Sequence, residues 1–65
     1  MITIMRNDEV LDFITFQTLV YAIWLEVNIS IVGYNDMLAH MLTESNYGKS
    51  MRDAYLPADV KIFFN

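Results

Sequence analysis

Apolar residues crowd the first half of this chain so densely that its periodicity is best read from where the few polar ones fall. Asp8, Asp12, Thr15 and Glu26 lie on one narrow face of a helix turning about 100° per residue, a face they share with Leu19 and Ala22. Nearly everything else around that cylinder is apolar, which is the pattern of a helix covered on several sides. Asn7 is a good N-cap, and Asp8 and Glu9 would then put negative charge in the first turn, where the helix dipole favours it. The pattern therefore predicts one long N-terminal helix from Asp8 to about Val27. A strand competes for its second half, because Leu19, Tyr21, Ile23, Leu25, Val27, Ile29 and Ile31 are apolar at every odd position. The even positions Val20, Ala22 and Trp24 spoil that alternation. We therefore expect helix to about Val27, then an irregular or short extended piece from Asn28 to Gly33.

Downstream, Met37, Leu38, Met41 and Leu42 form an apolar stripe on a second helix over about Asn35 to Glu44. Ser45-Asn46-Tyr47-Gly48 is turn chemistry. A third, shorter helix from about Lys49 to Tyr55 would bury Met51 and Tyr55 and stop at Pro57. The opening Ile2-Thr3-Ile4 alternates like a short strand. The tail ends in Ile62-Phe63-Phe64 and is too apolar to dangle, so it docks as a final turn or pairs with Ile2 to Ile4. The fold class this predicts is mainly α. It is a small three-helix domain spanning residues 1–65, with one long N-terminal helix and at most a minor two-stranded pairing of the N- and C-terminal segments.

Composition sharpens the picture in one respect. With 65 residues, the chain is one domain that buries only roughly 60% of its unfolded surface. Yet 55% of its residues are hydrophobic, and it has no cysteine to add a disulfide or a thiolate metal staple. Association is the usual remaining device for so small a body. We therefore expect a homodimer or a complex with a protein partner. The absence of cysteine fits a reducing cytosol. The N-terminus places apolar residues before charge, unlike a secretory leader, so a cytoplasmic location is expected.

The net charge of −4 is unevenly spread. No Lys or Arg stands between Arg6 and Lys49, a stretch holding Asp8, Glu9, Asp12, Glu26, Asp36 and Glu44. Nucleic-acid affinity rests on phosphate neutralisation, so this acidic body argues against it, and it suits a partner with a basic or apolar surface. A helix-turn-helix could be drawn through Met37 to Tyr55, with Lys49 and Arg52 early in its second helix, but four basic residues are a thin inventory. A membrane span is the other rival. The charge-free run from Phe13 to Leu25 is too short for it, and extending the run to Tyr34 places Glu26 and Asn28 inside the bilayer.

Candidate chemistry is sparse. Asp36, His40 and Glu44 would share one helix face, which offers poor tetrahedral geometry for zinc. Gly48-Lys49-Ser50 resembles the end of a phosphate-binding loop, but Thr43 stands where that pattern needs glycine. One histidine and no cysteine leave few nucleophile–base combinations. No catalytic residue, cofactor or metal is predicted, and the protein is not expected to be an enzyme. What remains is a small acidic interaction module that binds a partner protein to block or bridge it, in the manner of a phage or mobile-element inhibitor of a host enzyme or defence complex. The residues expected to touch that partner are Phe13, Phe16, Val20 and Trp24 on an apolar strip of the first helix, with Asp8, Asp12 and Glu26 orienting the encounter.

Overall fold

Asn7 and Asp8 do not begin a helix. Their φ angles are 51° and 65°, the left-handed pair that a two-residue type I′ turn requires and that Asn and Asp tolerate better than other side chains. That turn joins β1 (Ile2–Arg6) to β2 (Glu9–Val10) as an antiparallel hairpin, with Arg6 opposite Glu9 and Met5 opposite Val10. Helix α1 (Phe13–Leu25) starts only after Asp12, whose carboxylate accepts the Thr15 N–H at 2.8 Å as the N-cap. Helix α2 (Ile31–Met41) and helix α3 (Asn46–Tyr55) follow, capped the same way by Ser30 and Ser45. The chain closes with β3 (Val60–Phe64), antiparallel to β1 from Ile2 opposite Phe64 to Arg6 opposite Val60.

The sheet order is β2-β1-β3. These elements come from a computed structural model that describes residues 1–28 and 30–65. Helix accounts for 52% of the chain and the three-stranded sheet for 19%. The protein is thus a small mixed α/β domain, and the expectation of a mainly α fold with a minor strand pairing is overturned. The tail does pair with Ile2 to Ile4, but the pairing recruits a third strand and runs five residues. The long N-terminal helix loses its first turn to the hairpin and ends at Leu25. The second helix begins at Ile31 rather than Asn35, so the stretch expected to be irregular through Gly33 is partly helical; the reading at Ile29 lies outside the described residues. The third helix begins at Asn46, because Ser45 serves as a cap rather than as part of a longer turn.

The helices cover one face of the sheet. Ile4 and Val60 project from that face into a core made with Phe16, Val20 and Trp24 of α1, Leu38 and Met41 of α2 and Met51 of α3. Trp24 holds the three helices together. It meets Tyr34 and Tyr55 edge-on, with ring centroids 5.2 and 5.8 Å away, and its Nε1 donates to the Tyr55 carbonyl at 3.3 Å. The opposite sheet face carries Thr3, Met5, Lys61 and Phe63 and has no layer over it among the described residues.

Candidate functional site on the uncovered face of the first helix

The seven residues expected to meet a partner are not brought together. Phe16, Val20 and Trp24 are fully buried and form the centre of the core; their 4-residue spacing places them on the face of α1 turned towards the sheet and the other helices. They present nothing to a partner in this structure. Phe13 lies at the margin of that face and is 46% exposed. The acids separate: Asp8 sits in the hairpin turn, Asp12 caps the start of α1, and Glu26 follows its last residue. A helix of this length keeps the two ends roughly 20 Å apart.

The other side of α1 is apolar as well. Ile14, Tyr21 and Leu25 are 74%, 41% and 58% exposed. With Thr18 they fall at i, i+4, i+7 and i+11, one straight stripe along the helix. No charged residue occurs between Phe13 and Leu25, so the stripe is uncharged from end to end, with Thr18 folding its hydroxyl back onto the Ile14 carbonyl at 3.0 Å. The sequence carries this signal: a helix apolar on all sides contains two opposed stripes, and nothing local in it says which of them meets the core. A neighbouring hollow of about 390 Å³ continues the apolar character where Phe13 meets Ile2, Ile4, Val10, Leu11 and Leu42.

Asp12 is the one acid near this face with a defined job. The backbone N–H of Thr15 and then its hydroxyl, both at 2.8 Å, hold the carboxyl below its ordinary pKa of 3.8. It therefore keeps its charge at the N-terminal end of α1, while Glu26 follows the C-terminal end.

Residues that might have carried other chemistry have structural employment. Helix α2 stops before Glu44, so that carboxylate leaves the face of His40. His40 stands 3.8 Å from Asp36 and packs edge-on against Tyr47 at 4.7 Å. Among the described residues no three His, Cys, Asp or Glu side chains gather as a metal site. Gly48 lies inside α3, where its N–H donates to the Ser45 cap, so Gly48-Lys49-Ser50 forms a helical turn rather than a phosphate-cradling loop. Arg52 donates to the carbonyls of Met41, at 2.8 Å, and Thr43, and its guanidinium lies 4.7 Å from the Phe64 ring centroid. It closes the end of α2 and is not presented outward as a base-reading side chain. Among the described residues no helix is long and apolar enough to cross a membrane.

Compared with known proteins, the chain matches no family model, no curated protein and no solved structure.

Proposed function

We propose that this protein is an interaction module that docks an apolar helix or groove of a partner protein against the Ile14–Thr18–Tyr21–Leu25 stripe of α1. The observation that carries this reading is that α1 is charge-free and apolar on both sides, while on its outer side Ile14 and Leu25 stay exposed and Tyr21 meets Tyr34 edge-on with ring centroids 5.3 Å apart. A helix apolar all round is ordinarily buried all round. The stripe has the spacing that one helix uses to pack along another. The helix carries an acid at each end, Asp12 and Glu26, off the line of the stripe. A partner with basic residues flanking its apolar strip would be drawn in and aligned by them, which affects association rate and orientation more than final affinity. By occupying such a strip the protein blocks it, or bridges it to whatever else the module holds.

The test uses the full chain as bait with two variants. Ile14→Glu and Leu25→Glu change exposed positions and should melt close to the parent. Each should abolish recovery of a partner that the parent retains, while Lys49→Glu, on α3, leaves recovery intact. A partner recovered equally by the parent and both stripe variants would remove the basis for the proposal.

A further inference from the structure

The open edge of the sheet points to a second occupant, and here we infer that the occupant is another copy of this chain. In an antiparallel ladder, residues alternate between pairs that exchange backbone hydrogen bonds and pairs whose N–H and C=O groups point away from each other. The phase of this ladder is fixed at both ends. Asn65 N–H donates to the Met1 carbonyl at 2.8 Å, and the Ile4 carbonyl is turned to the far side, where it accepts from Leu11 N–H at 2.8 Å. Phe63 and Lys61 are therefore bonded to β1, opposite Thr3 and Met5. Ile62 and Phe64 turn their N–H and C=O outward, where they have no partner among the described residues. The Val60 N–H donates back to the Pro57 carbonyl at 3.1 Å, so the free edge is Ile62 to Phe64 with the Val60 carbonyl beside it.

Of the devices that usually protect a strand edge, this strand carries one, the charge of Lys61. Pro57 lies before the strand rather than within it, and Lys61 points to the sheet face. A hollow of about 280 Å³ between the end of α3 and the strand, lined by Arg52, Asp53 and Lys61 as well as Leu56, Ile62 and Phe63, leaves room beside it.

Two-fold registers of β3 against a second β3 can be centred on Lys61, Ile62 or Phe63, and the facing side chains choose between them. Centring on Lys61 sets two like charges opposite each other, which is unfavourable. Centring on Ile62 forms four backbone hydrogen bonds, leaves the Phe64 carbonyl facing a Val60 N–H that is already donated, and sets Lys61 opposite Phe63 of the other copy. Centring on Phe63 pairs Ile62 with Phe64 of the other copy and Phe64 with its Ile62. Four backbone hydrogen bonds form here as well, with the Val60 carbonyl as the group left unpaired, so the choice between these last two registers falls to the facing side chains. The same register stacks Phe63, 48% exposed, against its counterpart, sets Lys61 opposite Asn65 of the other copy, and extends the half-buried Ile62 and Phe64 across the join. The product is a continuous six-stranded sheet that displays two α1 stripes. This inference does not depend on the α1 reading.

The experiment is amide hydrogen exchange by NMR on the full chain at micromolar and near-millimolar concentration, with sedimentation equilibrium on the same samples. Lys61, Phe63 and Asn65 amides are bonded within one copy and act as internal controls. The expected result is a dimer at high concentration in which the Ile62 and Phe64 amides become protected by roughly tenfold or more, while the controls change little. Phe63→Lys should sediment as a monomer that melts like the parent. The inference fails if the chain stays monomeric with Ile62 and Phe64 equally exposed at both concentrations. It also fails if a dimer forms that Leu25→Glu dissolves and Phe63→Lys does not, which would give the contact to α1. Protection of the two amides by a different extended peptide, with no self-association, would likewise overturn it.

Discussion

Gly48 shows how much of this fold rests on single positions. A Cβ added there would stand 2.3 Å from the His40 carbonyl oxygen and under 3 Å from the Thr43 hydroxyl and carbonyl. Two of those three neighbours are backbone, so relief requires α2 and α3 to separate. Gly48→Ala gains up to about 1 kcal/mol in helix propensity, but overpacking of this kind costs about 1–3 kcal/mol, and the nearness of the carbonyl puts it at the upper end. We expect a net loss of stability, visible as a lower urea midpoint with an unchanged slope. Asp12 gives a second residue-scale prediction, because its carboxyl is held below its ordinary pKa by Thr15. A depressed carboxyl stabilises the fold fully above the unfolded-state value, and that contribution disappears as pH falls through the lower folded-state value. Asp12→Asn keeps a competent cap but cannot titrate. The parent should therefore melt above the variant at neutral pH, and the gap should close as pH drops below about 4. A gap constant with pH would mean that the charge contributes nothing to the cap.

At the scale of elements, the N-terminal hairpin decides the architecture, and it was also the least legible part of the sequence. Asn7-Asp8-Glu9 satisfies two local codes at once: an N-cap followed by acids in the first turn, and a turn pair tolerant of positive φ. The alternation of Ile2, Thr3 and Ile4 was visible, but β2 is two residues long, too short for any period to register. What settles the matter is non-local: β1 gains β3 as a five-residue partner, and no local propensity reports that. The helices were easier, since Asp12, Ser30 and Ser45 each cap a helix through the N–H three residues on. The expected starts at Asn35 and Lys49 nonetheless fall four and three residues late, because the residues through Gly33 read as irregular and Ser45-Asn46-Tyr47-Gly48 read as a turn rather than as a cap and first helical turn. The hairpin makes its own prediction. Asp8 at φ 65° carries the strain of a left-handed side chain, so Asp8→Gly should stabilise the protein by up to about 1 kcal/mol. If the segment were instead the first turn of a helix, the same change would destabilise it by a similar amount. Thermal melts of the two proteins therefore distinguish the architectures.

For the whole molecule, the question is where 55% hydrophobic residues go in 65 positions. The accessible surface is 4522 Å², against about 4300 Å² for an average folded monomer of 7.6 kDa. The chain therefore closes about as well as an average monomer of its size, and its exposed apolar residues include local patches on the outer side of α1 and on the uncovered sheet face. That locality explains why the candidate site was only half legible: composition announced an excess, and a helix apolar on both sides could not say which side was left out. The core stripe of Phe16, Val20 and Trp24 and the outer stripe of Ile14, Tyr21 and Leu25 differ only in what the sheet and the other helices cover. Truncating the first should threaten folding, because Phe16→Ala removes a fully buried ring at about 3–5 kcal/mol from a domain whose total stability is on the order of 3–5 kcal/mol. Leu25→Glu, on the outer stripe, should leave the urea midpoint within the range of ordinary surface changes, about ±0.5 kcal/mol. A Leu25→Glu variant as unstable as Phe16→Ala would show that the outer stripe is already covered within one copy, and the docking surface assigned to α1 would not exist.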